Sequence, residues 1–196
     1  LNLMQGSHQA CAWPQAGRLY AMLVDLAGED EALREAAGEA QLKNPGRDSS
    51  AVTIVEVDRD WMVQSLFKRP RYKVVCRYLW TGLRQAALLA KLNDLIETWQ
   101  PRQVVVDGSG VGAGLASFLR DRYGSRVQSL VFNQALKSKL GWGFLSIIDT
   151  GRFQDLRVEA DDAFSLQQGR LQAMFEAQMK ACAYQVSIGP EKTLHW

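Results

Sequence analysis

Gln103-Val104-Val105-Val106-Asp107-Gly108-Ser109-Gly110-Val111-Gly112-Ala113-Gly114 is the stretch on which the architecture turns. Three valines without alternation read as a strand buried on both faces, as in the middle of a parallel or mixed sheet covered by helices. A carboxylate follows at the strand's C-terminal end, then a glycine-rich run, then the helical pattern Leu115, Phe118, Leu119. In open α/β sheets, ligands collect at the carboxyl ends of strands. Asp107 is therefore a candidate metal ligand. The same residues also fit a cap on the following helix, or glycines that only permit a tight turn.

Leu19-Tyr20-Ala21-Met22-Leu23-Val24-Asp25 repeats the pattern: an apolar strand that ends in aspartate. Neighbouring strands lie about 4.8 Å apart, so two such strands side by side bring two carboxylates within reach of one divalent cation. Residues 28 to 47 are polar, with an Ala/Glu-rich middle, and read as a surface insertion with a short helix over Glu31–Leu42. Asn44-Pro45-Gly46 is a turn signal. Asp48 leads into the β-branched strand Ala51–Val57, Asp58 and Asp60 bracket the next turn, and a third strand covers Tyr72–Leu79 after Lys68-Arg69-Pro70-Arg71. Three strands in such close succession predict an antiparallel meander.

Downstream, Leu88, Leu92, Leu95, Ile96 and Trp99 share one face of a helix closed by Pro101. The central stretch carries its own helix to about Arg122. Then come a strand at Val127–Phe132, a helix with Leu136, Leu140, Phe144 and Ile148 four apart, a last helix marked by Leu171, Met174, Phe175, Met179 and Cys182, and a final strand at Tyr184–Ile188. Residues 1 to 17 show no period and read as a linker or the tail of an upstream domain, leaving 18 to 196 as one domain. The expected fold class is thus α/β: a mixed sheet of five or more strands flanked by helices, with three antiparallel strands first. This is the ribonuclease H-like plan, whose catalytic acids end the first and fourth strands. Asp25 and Asp107 occupy those places. Like charges at short range repel unless a cation offsets them. A pair of Mg²⁺ or Mn²⁺ ions about 3.5–4 Å apart would do so, and would supply the chemistry of phosphodiester hydrolysis.

Composition narrows the alternatives. Lys and Arg number 23 against 21 Asp and Glu, and a net charge of +2 leaves any polyanion contact to local clusters. Lys68, Arg69, Arg71 and Lys73 form one such cluster, readable as a solvated strand edge or as a DNA backbone contact. Cys11, Cys76 and Cys182 are scattered and without CxxC spacing, which excludes a disulfide framework and suits a reducing compartment. With only His8 and His195 beside them, a zinc site is not expected. No apolar run reaches the length of a membrane span.

Val104-Val105-Val106-Asp107-Gly108-Ser109-Gly110-Val111-Gly112, followed by Phe132-Asn133-Gln134-Ala135-Leu136-Lys137-Ser138-Lys139 and by Ile147-Ile148-Asp149-Thr150-Gly151-Arg152, resembles the nuclease domain of phage terminase large subunits. Ser109 stands where that family usually has Thr. The resemblance implies a metal-dependent endodeoxyribonuclease that cuts concatemeric viral DNA, with Asp25 and Asp107 catalytic and Asp25, Asp48 and Asp107 on two Mg²⁺ or Mn²⁺ ions. Lys137 and Lys139 read either as solvated lysines of a first helical turn or as contacts to DNA phosphates. The resemblance also implies as partners double-stranded DNA, the terminase ATPase domain, and the portal or small subunit, in the cytoplasm of a bacterial host. The family's third acid follows the final strand. Here that strand runs into Glu191-Lys192-Thr193-Leu194-His195-Trp196, so the third acid is expected beyond Trp196 and the C-terminus is expected to be truncated. Asp161-Asp162 precedes the last helix and is misplaced for that role. No GxxxxGK(S/T) occurs, so a nuclease without the motor is expected.

Two other readings compete. Another ribonuclease H-like nuclease, of the junction-resolvase or transposase type, shares the chemistry and differs in substrate. A nucleotide-binding module would use Gly108-Ser109-Gly110-Val111-Gly112-Ala113 as a GxGxx(G/A) turn. That fingerprint needs an acid on the next strand, and Asp107 would repel a pyrophosphate.

Overall fold

The computed structural model describes residues 2–27, 49–110, 112–187 and 192–195. The principal elements are β1 (Tyr20–Asp25), β2 (Ser49–Asp58), α1 (Asp60–Gln64), β3 (Arg71–Thr81), α2 (Gln85–Trp99), β4 (Gln103–Asp107), α3 (Gly112–Tyr123), β5 (Val127–Leu130), α4 (Gln134–Asp149), β6 (Phe153–Gln154), α5 (Ala163–Ala181), β7 (Gln185–Val186) and β8 (Leu194–His195). Six strands form one sheet in the order β5-β4-β1-β2-β3-β6, antiparallel through β1, β2 and β3 and parallel elsewhere. This is the expected mixed sheet, with β6 added at the edge beside β3. The chain divides into two compact units, one of Trp13–Ile54 and Arg77–Val131, the other of Leu1–Ala12, Val55–Cys76 and Phe132–Trp196.

In the first of these units, β1 and β4 alternate. Met22, Val24, Val104 and Val106 are sealed, whereas Val105 is only half-buried and its register partner Leu23 is 45% exposed. The expectation of two equally buried faces is corrected here. A continuous apolar run does not say which face the helices cover, and here α3 packs on β4, β5 and α2. The core is completed by Leu88, Leu92, Ile96 and Trp99 of α2 and by Leu115 and Leu119 of α3. The Tyr20 and Trp99 rings meet edge to face at 5.1 Å. Gln100 ends α2 in the left-handed region (φ 44°), with its N–H on the Ile96 carbonyl.

In the second unit, Val55, Val74 and Leu156 form a core packed by Ala10, Tyr72, Phe153 and Val158. Residues 2–12, read from sequence as linker or upstream tail, are hydrogen-bonded into this unit. The Gly6 N–H donates to the Asp155 carbonyl (2.8 Å), the Arg157 N–H to His8 (2.8 Å) and the Cys11 N–H to Val75 (2.9 Å). Helix α4 departs from the leucine stripe expected at Leu136, Leu140, Phe144 and Ile148. Its buried residues are Ser138 and Gly141, and Leu140 is 41% exposed. Small residues let β8 approach closely. The Leu194 N–H donates to Ser138 Oγ (2.9 Å), Gln134 Nε2 to the Leu194 carbonyl (3.1 Å) and Trp142 Nε1 to the Lys192 carbonyl (2.9 Å). The expected final strand at 184–188 is the two-residue β7, antiparallel to β8 with Val186 opposite Leu194. Among the described residues no helix is long and apolar enough to cross a membrane.

Candidate metal centre

The register of β1 on β4 runs Ala21 to Gln103, Met22 to Val104, Leu23 to Val105 and Val24 to Val106. The next residue on each strand is an aspartate, Asp25 and Asp107, and each is the last residue of its strand. Side chains alternate along a strand. Both carboxylates therefore lie on the face shared with Leu23 and Val105, opposite the sealed positions 22, 24, 104 and 106. Asp25 is exposed and Asp107 half-buried. Two oxygen donors thus stand on adjacent strands about 4.8 Å apart.

The turn after β4 fixes Asp107. Its Oδ1 accepts the Ser109 N–H at 2.8 Å, a bond from side chain to backbone two residues on that defines an Asx-turn. Helix α3 begins only at Gly112, so this carboxylate braces the turn instead of capping the helix. Gly110 takes a left-handed conformation (φ +56°). At Gly112 a Cβ would collide with the Asp107 carbonyl oxygen. The Gly108 N–H donates to the Leu130 carbonyl (2.8 Å), extending the pairing of β4 with β5 past the strand end. A carboxylate offers about four acceptor sites, so one amide leaves Asp107 capacity for a cation. The oxygen-only donor set suits a hard cation such as Mg²⁺ or Mn²⁺.

Asp48, the other expected metal ligand, lies outside the described residues. The two serines that follow it in sequence are both hydrogen-bonded. The Ala27 N–H donates to Ser50 Oγ (3.0 Å) and Ser49 Oγ bonds Thr81 Oγ1 (2.6 Å). Neither serine was singled out in the sequence. A small hydroxyl at the start of a strand is a weak signal on its own. No group of three or more His, Cys, Asp or Glu suited to a metal occurs among the described residues.

The other candidates separate clearly. Arg71 donates to Asp58 Oδ2 through Nε (3.2 Å) and Nη2 (2.7 Å), and Lys73 Nζ lies 3.0 Å from the same oxygen and 3.3 Å from Glu56 Oε1. Burial pushes the Asp58 carboxyl up, but the bonds from Arg71 and Lys73 outweigh it and hold it at about 2. The four-residue basic cluster is corrected accordingly: Arg71 and Lys73 neutralise acids on the neighbouring strand, while Lys68 and Arg69 are exposed. Lys137 and Lys139 are exposed in the first two turns of α4, whose cap is Asn133 Oδ1 accepting the Leu136 N–H (2.8 Å). Asp162 caps α5, accepting the Phe164 and Ser165 amides at 3.0 and 3.1 Å. Bonds from the Ser165 hydroxyl and amide hold its carboxyl below the ordinary range. His8 bonds the Val74 carbonyl through Nε2 (2.8 Å), and burial lowers its pKa. After α3, β5 ends in Ser129-Leu130 and supplies no acid for a ribose, which removes the dinucleotide reading its second element.

No protein-family model matches this sequence, and no curated protein matches it. Solved structures do. The magnesium-bound large terminase nuclease from thermophilic phage G20c superposes with a TM-score of 0.56 at 13% identity, over 99% of this chain and 82% of that one. The large terminase nuclease domain of Thermus phage P74-26 gives 0.58 at 13% identity, over 98% and 81%. The G20c nuclease with bound zinc gives 0.54 at 16% identity, over 87% and 83%. The chain shares the fold of phage large terminase nuclease domains.

Proposed function

We propose that this chain is a metal-dependent DNA endonuclease domain of a viral DNA-packaging terminase large subunit, cutting concatemeric double-stranded DNA. The observation that carries the reading is the register that sets Asp25 beside Asp107 at the ends of adjacent parallel strands. Its fold neighbours include nucleases solved with magnesium, cobalt and zinc. Asp25 and Asp107 are the residues that would hold divalent ions, with Asp48 assisting. The Ala27–Ser50 hydrogen bond supports that last assignment, because it ties the start of β2 to the residues that follow Asp25. When bound, two Mg²⁺ or Mn²⁺ ions would supply an activated water and stabilise the leaving oxygen of a phosphodiester.

The chain's own residues have defined tasks in this scheme. The Ser109 amide orients the Asp107 carboxylate before any ligand arrives. Pre-organisation of this kind lowers the cost of forming the reactive geometry. Asp25, on the sheet's central β1, is carried by a strand paired on both sides. Lys137 and Lys139 would contact DNA phosphates. An ATPase domain, a portal or small subunit, and the bacterial cytoplasm complete the setting.

The test is a plasmid-nicking assay with Mg²⁺ or Mn²⁺. Asp25→Ala and Asp107→Ala are each expected to reduce cleavage by at least about a hundredfold, the scale of losing a group that stabilises developing charge. Cleavage surviving both substitutions sinks the assignment. A fold alone does not select a substrate. A panel of linear, branched and hybrid duplexes separates this reading from a junction resolvase or transposase.

A further inference from the structure

The connection between β2 and β3 exposes apolar side chains on a hydrogen-bonded turn. Val63 is 79% exposed, Leu66 98% and Phe67 55%. Isolated exposed apolar residues are ordinary, whereas these three fall within five positions of one turn. The turn beneath them is tied at every step. Asp58 Oδ1 accepts the Trp61 N–H (3.2 Å), the Arg71 guanidinium lies 4.6 Å from the centre of the Trp61 ring, and the buried Ser65 donates its N–H to the Trp61 carbonyl (2.8 Å). Ser65 Oγ in turn accepts the Phe67 N–H (3.1 Å), and Lys68 closes the turn in the left-handed region at φ 49°. A non-glycine residue held there is kept by its surroundings. The exposed charged residues between Arg59 and Arg69 are Arg59, Asp60, Lys68 and Arg69, so cations outnumber the single acid. Arg71 and Lys73 are engaged by Asp58 and Glu56 and add nothing outward.

We propose that this turn is an apolar wedge for duplex DNA, with Leu66 and Phe67 entering the minor groove and Arg59, Lys68 and Arg69 on the flanking phosphates. The inference rests on the reading of the chain as a DNA nuclease and adds a binding element outside its carboxylate pair. Leucine and phenylalanine are wedge residues of minor-groove binders, which unstack a base step and kink the duplex, and flanking cations release counterions. A polyanion matches this charge pattern. An apolar cleft on a protein would match it only with an acidic rim.

The test uses the chain in EDTA, with a fluorescein-labelled duplex for affinity and a doubly end-labelled duplex for bending. Leu66→Ala with Phe67→Ala is expected to weaken binding about tenfold, within the range for removing one stacking side chain. It should also abolish the energy-transfer change on binding while leaving the salt slope unchanged. Lys68→Gln with Arg69→Gln should lower the slope of log affinity on log salt by about two, one for each phosphate that is no longer neutralised. Leu66→Ala alone, at a side chain 98% exposed, keeps the measurement clear of folding and should weaken binding and bending in the same sense. Wild-type affinity and bending in the apolar variants overturn the wedge, as does a loss of self-association in sedimentation with DNA binding intact. Cleavage that still depends on Asp25 and Asp107 in those variants, with binding and bending unchanged, sinks the wedge and leaves the nuclease reading standing. Wild-type protein that neither binds nor cuts DNA sinks both.

Discussion

Asp107 makes its short bond to the Ser109 amide within a turn that only glycine completes at two positions. Gly110 needs its positive φ, and Gly112 sits against the Asp107 carbonyl. Gly112→Ala should therefore cost about 1–3 kcal/mol, because the inserted methyl displaces backbone. Urea unfolding followed by circular dichroism checks this, and a loss below a few tenths would mean that the turn relaxes freely. The acids that end each strand were legible in the sequence, because an apolar run stopping at a carboxylate is a local signal. The Ser109 bond was only half legible. Asp-Gly-Ser announces a turn, but not which atom the carboxylate takes.

At the scale of elements, the Asp58 cluster makes a pH prediction. Its carboxyl sits at about 2 in the fold against 3.8 unperturbed. A depressed value means the unfolded chain takes up the proton first. The contribution, about 2 kcal/mol by linkage, is present above pH 4 and lost as pH falls towards 2. The stability difference between wild type and Asp58→Asn should shrink by roughly two thirds of that amount between pH 6 and pH 2.5, where the folded carboxylate is still largely ionised. Parallel urea titrations at the two pH values read it, and a constant difference refutes the cluster's role. The cluster was misread from sequence because its acids lie on β2 and its bases on β3. A run of like charge is visible in one segment, but its partners across the ladder are not.

Helix α4 teaches the same lesson. A four-residue period of large apolar groups advertised one face, yet the side that meets β8 carries Ser138 and Gly141. Ser138→Ala would leave the Leu194 N–H without its acceptor inside the protein. The expected cost is about 1–3 kcal/mol, with faster hydrogen exchange at Leu194. Unchanged exchange would mean that β8 does not depend on this bond.

For the molecule as a whole, the carboxylate pair is a tertiary product. β1 and β4 are remote in sequence, and nothing in either segment states that they pair. The order of elements made the pairing an inference from topology. If the pair binds Mg²⁺, the ion binds only the folded chain and stabilises it by mass action. About 2.7 kcal/mol is expected at a hundredfold excess over Kd. Thermal melting with and without Mg²⁺ should show this for wild type and for neither Asp25→Asn nor Asp107→Asn. An equal shift in all three would place the cation elsewhere.

The bond from the Ala27 amide to Ser50 Oγ has a consequence for how such a chain evolves. It pins the point where the chain leaves β1 to the point where it re-enters β2. Whatever length of polypeptide is spliced between those two points, the strands keep their alignment. Lengthening such a detour costs little, since closure entropy grows only logarithmically with length. The sequence upstream of Asp48 can therefore change in length while Asp25 and Asp107 remain abreast. A single residue gained or lost within β1 has no such freedom, because it would turn Asp25 to the opposite face of the sheet.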